Sequence, residues 1–316
     1  MKRYLLITLL VASLLGACAS TDPTPPPTPG IPIDPAFNNL LEVEILRDVA
    51  YMRPIEDEPH TDELKLDFYA PVGAGPWPVL LILHGSSATK DGFQIYSRTL
   101  AGHGMIVVTP TWLSTVPDPT PFDAQSFRFE EETLLCALRF AQAKAEEYNG
   151  SNSSFTVMGH SAGAMMGVPI AFAGEDLIDR WEAFAERRGG PAQQVECVED
   201  DGSIPHVDRY IGMSGSYDYF EQLQATNGTV GLRNIDIELW SLVSPYAFMG
   251  DNMDLRVRLI HGIQDPTVPV PIAFDFQEAL LNTGYDSVLR LPEDGHNLEY
   301  YLSLGLMLDI MGEADD

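Results

Sequence analysis

One stretch constrains the fold of this chain more than any other, namely Phe155–Gly167, which reads FTVMGHSAGAMMG. A mostly apolar run leads into GHSAG, and small residues or flexible methionines follow. A serine that a tight strand-to-helix turn holds above a sheet needs small neighbours, because the backbone folds back on itself there. The stretch therefore predicts a strand, a sharp turn that presents Ser161, and a helix.

Further apolar runs of strand length occur along the chain. Most are apolar throughout, which is typical of strands that are buried on both faces of a parallel sheet. Two earlier segments, LEVEILRDVAYM and DELKLDFYAP, alternate more and predict an antiparallel pair at the sheet edge. The predicted parallel strands lie in WPVLLILHG, GMIVVTPTW, FTVMGHS, RYIGMSGSYD, LRVRLIHGIQD and DSVLRLPEDGHN.

Helical patterns separate several of these strands. Apolar residues recur at helical spacing from Phe129 to Tyr148, from Leu177 to Ala185, and over Leu298–Met311. Strands that alternate with helices predict an α/β fold with a doubly wound, mostly parallel sheet flanked by helices. In such sheets the ligand binds at the carboxyl ends of the strands.

The N-terminus predicts export and a lipid anchor. Lys2 and Arg3 precede an apolar run, Tyr4–Leu15, which is too short to span a bilayer, and small residues follow it. We expect residues 1–17 to be a signal peptide. The sequence LGAC at Cys18 resembles the bacterial lipobox, in which the cysteine becomes the lipid-bearing N-terminus. An ordinary signal peptide with an incidental cysteine is the alternative.

Residues 18–36 are rich in Pro and Thr and predict an extended tether, because they cannot bury enough apolar surface to fold. Residues 37–316 suffice for one large α/β domain, and no repeat or second linker divides them. The expected location is the cell envelope, with the exported chain anchored by lipid on the periplasmic or outer side.

The chain is strongly acidic, with 18 Lys and Arg against 46 Asp and Glu and a formal net charge of −28 at pH 7. A field of this sign repels anionic polymers, so nucleic acid is not an expected partner. Solubility is the simplest explanation of the acidity.

Two cysteines besides Cys18 need an explanation, Cys136 and Cys197. In an exported protein they can form a disulfide, because disulfides persist in oxidising compartments. Two unpaired buried cysteines are the alternative, since Cys136 lies in an apolar helical pattern that accepts a small hydrophobic residue.

Ser161 requires a base, because a serine hydroxyl is a weak nucleophile near neutral pH, and the base requires an orienting carboxylate. In this architecture the chain order is serine, acid, histidine. Three of the seven histidines follow Ser161, namely His206, His261 and His296. Of these, only His296 leaves room for an acid at a strand end before it. Asp265, in HGIQDPTVP, is the predicted acid, and Asp218, in SGSYDYF, is the alternative.

An oxyanion that develops beside Ser161 requires backbone N–H donors. One donor is expected from Ala162, and another from Ser86 or Ser87 in the loop after WPVLLILHG. The cysteines and histidines show no spacing that suits a metal, and no Gly-rich phosphate loop occurs.

Two tryptophans are candidates for the substrate pocket. Trp112 follows a predicted strand at its carboxyl end, and Trp181 lies in a segment, residues 174–205, that is a possible small cap. Core packing also explains the aromatic residues around Trp181. The second half of this segment is polar, and no long apolar lid occurs, which predicts a preference for short acyl chains.

These residues together resemble the α/β-hydrolase superfamily and, within it, the bacterial carboxylesterases and lipases that carry HG…GHSAG…HG..D..VP…GH. The resemblance covers about Leu41 to Met311. It implies a Ser161, Asp265, His296 triad, an oxyanion hole from Ala162 with Ser86 or Ser87, and ester hydrolysis without a cofactor. Many of these esterases have three glycines after the first histidine, where this chain has GSS, so the second oxyanion donor stays open.

The resemblance implies a serine hydrolase that cleaves small or polymeric carboxylic esters through an acyl-enzyme intermediate. Two other functions remain alternatives. One is a serine peptidase of the same fold, against which the absence of a gating domain from the sequence argues. The other is a non-catalytic surface-binding lipoprotein, against which a complete set of serine, acid and histidine argues.

The lipid anchor can be tested directly. In a bacterial host the full chain should incorporate palmitate and sediment with membranes, because LGAC would present Cys18 for acylation, and Cys18→Ser should abolish both. Metabolic labelling with palmitate followed by membrane fractionation measures this. Equal incorporation by the two proteins would contradict the anchor.

Overall fold

Eight strands form a central sheet that is parallel over most of its width. The computed structural model describes residues 40–55, 64–86, 88–112, 124–190, 192–198, 204–218 and 237–298, all within one compact unit of the chain, Asn39–Asp316. The predicted signal peptide, the tether with Cys18, Ser87 and the predicted closing helix after Leu298 lie outside these residues. The predicted α/β fold is confirmed.

The strands of the central sheet follow the order β1-β3-β5-β4-β6-β8-β9-β10. Their bounds are β1 Val43–Ala50, β3 Lys65–Pro71, β4 Trp77–Leu83, β5 Ile106–Pro110, β6 Gly150–His160, β8 Arg209–Met213, β9 Arg256–Ile260 and β10 Asp286–Arg290. Strands β1 and β3 pair antiparallel at one edge, as predicted, and β3 is also antiparallel to β5. All later neighbours in this order are parallel, so the carboxyl ends of β4, β6, β8, β9 and β10 lie at the same edge.

Helices cover the sheet because its strands carry apolar side chains on both faces. Their bounds are α1 Gln94–Gly102, α2 Ala124–Glu147, α3 Ala162–Phe172, α4 Asp176–Arg188, α5 Ile237–Val243 and α6 Val270–Thr283. Every residue of α3 after Ala162 is buried, as befits a helix that is apolar on all sides. In the part of the chain that the structure describes, no helix has the length and apolar character to cross a membrane.

A second, two-stranded sheet joins β2, Met52–Pro54, to β7, Val195–Cys197. Cys197 at the end of β7 forms a disulfide with Cys136 of α2. The structure thus decides between the two states that the sequence left open for these cysteines. The bond fastens β7 to the helix that packs beside the central sheet.

A buried polar cluster joins the same elements. Arg128 of α2 is fully buried, and its Nε donates to Glu132 Oε1 at 2.7 Å while its Nη2 pairs with Glu182 of α4. Glu132 Oε2 accepts from the N–H of Gln194 at 2.6 Å and of Val195 at 3.2 Å. A buried charge is tolerated when it is paired and hydrogen-bonded. The described part of the segment 174–205, the possible small cap, is therefore joined to α2.

Candidate active site

Ser161 lies on the turn between β6 and α3 with φ 55° and ψ −117°, angles that residues with a side chain rarely adopt. A Cβ at Gly159 would lie 2.1 Å from the carbonyl oxygen of Gly163, and a Cβ at Gly163 would lie 2.4 Å from that of Leu83. Only glycine fits at these two positions. The Ser161 N–H donates to the carbonyl of Met213 at 2.8 Å, which ties the turn to the end of β8.

Three predicted site residues form a continuous hydrogen-bonded chain. His296 Nδ1–H donates to Asp265 Oδ2 at 2.7 Å, which leaves Nε2 as an acceptor. The Ser161 hydroxyl lies 3.0 Å from this Nε2, within reach to donate its proton. The partner of His296 Nδ1 is thus Asp265, which follows β9, and not Asp218, the alternative acid, which follows β8.

Asp265 is held by donors on both carboxylate oxygens. Its side chain is shielded from solvent, and Oδ1 accepts from the N–H of Thr267 at 2.8 Å and of Val268 at 2.9 Å. His261 Nε2 lies 3.3 Å from the same Oδ2 that binds His296. Burial alone would raise the pKa of Asp265, but hydrogen bonds from His261, from His296 and from the two backbone groups outweigh it and hold the pKa well below its usual value. The carboxylate therefore stays ionised at neutral pH.

The loops that carry Asp265 and His296 are joined through their backbones. The N–H of Ile263 donates to the carbonyl of Pro292, and that of Gln264 to Asp294, both at 3.0 Å. A Cβ at Gly262 would lie 2.3 Å from the Asp294 carbonyl oxygen, so glycine is required for this approach. The acid and the base are therefore aligned by main-chain contacts as well as by their own side chains.

Of the three predicted oxyanion donors, Ala162 follows Ser161 directly, and Ser86 belongs to a loop that approaches the same turn. Ala162 is the first residue of α3, so its N–H has no carbonyl partner within that helix. The loop after β4 lies against the same turn, since a Cβ at Gly85 would be 3.1 Å from Ser161 Cβ, and Ser86 follows Gly85 directly. Ser87, the other candidate in this loop, lies outside the described residues.

A buried histidine fixes the start of this loop. His84 Nδ1–H donates to the carbonyl of Gly85 at 2.8 Å, and its Nε2 accepts from the N–H of Trp112 at 3.4 Å. Burial lowers the pKa of His84 to about 4, so the ring is neutral and keeps one donor and one acceptor. Because the Gly85 carbonyl and the Ser86 N–H belong to one planar peptide, this contact also orients the N–H.

The two candidate pocket tryptophans are both buried. Trp112 has no exposed surface, and its ring stacks on His84 with 5.6 Å between centroids. Trp181 is 1% exposed, and its Nε1–H donates to Glu131 of α2 at 2.5 Å. The Trp181 side chain packs in the core between α4 and α2, which is the alternative that the sequence left open for it. Trp112 supports the loop after β4 through its contacts with His84.

Three histidines for which the sequence predicted no role lie at this site in the structure. His84 supports the loop after β4, and His160 Nε2–H donates to the carbonyl of His296 at 2.9 Å. His261 Nε2–H is shared between the carbonyl of Val268 at 3.0 Å and Asp265 Oδ2 at 3.3 Å. Each of these histidines is adjacent, in the sequence motifs that predict the site, to a glycine or to Ser161. This adjacency could have indicated that they lie at the site. Within the described ranges, no group of three or more His, Cys, Asp or Glu residues is arranged to hold a metal ion.

Comparison with known proteins assigns most of this chain to a protein family. The BD-FAE family model matches residues 66–280, which include Ser161 and Asp265 and end before His296. Chlorophyllase type 0 of Chenopodium album is 26% identical over 145 residues, which are 45% of this chain and 41% of that protein. Gut esterase 1 of Caenorhabditis elegans is 23% identical over 248 residues, 71% of this chain and 42% of that protein. The chain therefore spans about two fifths of the length of these two relatives.

Among solved structures, Thermogutta terrifontis esterase 2 phosphorylated by paraoxon matches with a TM-score of 0.56 at 18% identity. The match covers 83% of this chain and 94% of that chain. At this identity the likeness concerns the fold alone, which is the α/β-hydrolase fold. Since the BD-FAE model matches more than half of the residues, this chain belongs to the BD-FAE family.

Proposed function

We propose that this protein is a serine hydrolase of carboxylic esters that works through an acyl-enzyme intermediate. The observation that carries the proposal is the hydrogen-bonded chain from Ser161 through His296 to Asp265, which begins on a strained turn at the start of α3. Family and fold support the reaction class. A fold alone does not define a function, so the proposal rests on this site.

The first half of the proposed reaction acylates the serine. Ser161 Oγ attacks the ester carbonyl carbon while its proton passes to His296 Nε2, and the carbonyl oxygen becomes an oxyanion that accepts from the N–H groups of Ala162 and Ser86. The tetrahedral intermediate then expels the alcohol, which takes the proton from His296. The ionised Asp265 stabilises the imidazolium that exists between these two transfers.

The second half returns the free enzyme. A water molecule gives one proton to His296 Nε2 and attacks the acyl carbon, and collapse of the second tetrahedral intermediate breaks the bond to Ser161 Oγ. The serine regains its proton from His296, and the carboxylic acid leaves. The same groups serve both halves, so no cofactor enters this scheme.

The proposed substrates are small or polymeric esters with short acyl chains. The two relatives are named as a chlorophyllase and a gut esterase, and esters are the class that such names share with the chemistry of this site. The polar sequence GGPAQQVECVEDDG and the absence of a long apolar lid from the sequence support short acyl groups.

The proposed location is the cell envelope, with the chain exported and held by a lipid on Cys18. The bond between Cys136 and Cys197 supports export, because disulfides persist in oxidising compartments and are rare in the cytosol. Attachment to the membrane surface would leave the domain free to reach esters outside the cytoplasm.

The proposed nucleophile can be tested by covalent labelling. Paraoxon should phosphorylate the protein once, with loss of esterase activity, because Ser161 is the activated hydroxyl. Ser161→Ala should take up no label and should lose nearly all turnover of p-nitrophenyl acetate. Intact-mass measurement with peptide mapping reads the label, and labelling that persists in Ser161→Ala would contradict the assignment.

The same preparations define the substrate class. Acetyl and butyryl p-nitrophenyl esters should be hydrolysed faster than the decanoyl ester, and p-nitroanilide peptides should be inert. A reversed order of acyl chains would refute the short-chain preference. Faster cleavage of the peptides than of the esters would favour a peptidase. Ester hydrolysis that persists in Ser161→Ala would overturn the mechanism.

The orienting acid can be tested with two matched variants. Asp265→Asn should lower kcat by about 10⁴-fold. The amide carries no charge to stabilise the imidazolium, and it does not hold the neutral His296 ring in the tautomer with the proton on Nδ1. Asp218→Asn removes a carboxylate that follows the neighbouring strand and should leave kcat near the wild-type value. Steady-state kinetics and circular dichroism on both variants decide the matter, and the opposite ranking would show that the acid is Asp218.

A further inference from the structure

His160, the residue before the proposed nucleophile, lies between two loops of the site. Its Nε2–H donates to the backbone carbonyl of His296 at 2.9 Å, and the centroids of the two imidazole rings are 5.1 Å apart. On its other side, a Cβ at Gly85 would lie 3.1 Å from His160 Nδ1. One side chain is thus bonded to the loop that carries the proposed base and lies beside the loop that carries Ser86, a proposed oxyanion donor.

We infer that His160 is a positioning residue for ester hydrolysis, and that its Nε2–H holds the backbone of His296 in register with Ser161. The inference rests on the proposed function, since it concerns the geometry of the same reaction. It adds to that function a second histidine, which acts through His296 and not on the substrate.

The contact matters because it anchors the backbone of His296. The ring of His296 is held at Nδ1 by Asp265 and at Nε2 by the Ser161 hydroxyl. The second of these bonds reverses direction when the Ser161 proton passes to Nε2, and the new Nε2–H must then turn to the leaving group, so during the reaction the ring needs support that does not depend on the serine. The bond from His160 joins the backbone of the base to the residue adjacent to the nucleophile.

The charge of His160 suits this role. Burial lowers the pKa of His160, although its hydrogen bond to the His296 carbonyl acts in the opposite direction. The ring therefore stays neutral at neutral pH and still carries the Nε2 proton that it donates. A neutral ring adds no positive charge beside the imidazolium that forms on His296.

The test compares two substitutions at His160 in the full chain. His160→Phe keeps an aromatic ring and removes the donor, whereas His160→Gln keeps an N–H near the position of Nε2. We expect His160→Phe to lower kcat for p-nitrophenyl butyrate by about 10- to 100-fold, because small misplacements of reacting groups cost up to about 10²-fold. KM should change by less than about twofold, and His160→Gln should restore kcat to within about threefold of wild type.

His206→Phe is the matched control, because His206 is an exposed histidine outside this site, and its kcat should equal that of the wild type. Circular dichroism and thermal unfolding identify the folded variants, and His160→Met replaces His160→Phe if the latter does not fold. A kcat near wild type in the variant without a donor would overturn the inference and leave the proposed function standing.

Equal losses in His160→Phe and His160→Gln would also overturn the inference, because they would assign the effect to ring packing. The proposed function has its own readout in Ser161→Ala. If the wild-type protein shows no Ser161-dependent turnover, the proposed function fails, and the inference about His160 fails with it.

Discussion

The close approach of β6, α3 and the end of β4 is the constraint on which the rest of the site depends. The carbonyl oxygens of Gly163 and Leu83 lie where side chains at Gly159 and Gly163 would have to be. The turn from β6 to α3 therefore requires glycine at positions 159 and 163, and it gives Ser161 a positive φ. Strain of this kind persists where the surrounding structure enforces it, and the buried helix α3 does so here.

The parallel register extends this constraint to the other loops. Just beyond the strand ends, the N–H of Ser161 bonds to Met213, that of Ser214 to Ile260, and that of His261 to Arg290, at 2.8, 2.8 and 2.9 Å. These bonds continue the hydrogen-bond pattern of the sheet across four neighbouring strands. Loops that are distant in sequence are thereby fixed side by side at the carboxyl edge, where ligands bind in sheets of this type.

Local patterns in the sequence were enough to predict the parts of this structure that local chemistry determines. The strands, the turn at Ser161 and the antiparallel edge pair follow from apolar runs, glycines and alternation. The pairing of Cys136 with Cys197, the core position of Trp181 and the contacts of His160 depend on which surfaces meet after folding. No spacing within one segment encodes such meetings, so these features required the structure.

The central claim is that the acyl group of the substrate passes to Ser161 before it reaches water. Phenyl acetate and p-nitrophenyl acetate share an acyl group but differ in their leaving group. If both form one acetyl-enzyme, then in the presence of methanol the ratio of methyl acetate to acetate must be the same for the two substrates. We predict this constant ratio. A ratio that changes with the leaving group would show that water attacks the ester directly, and it would contradict the account.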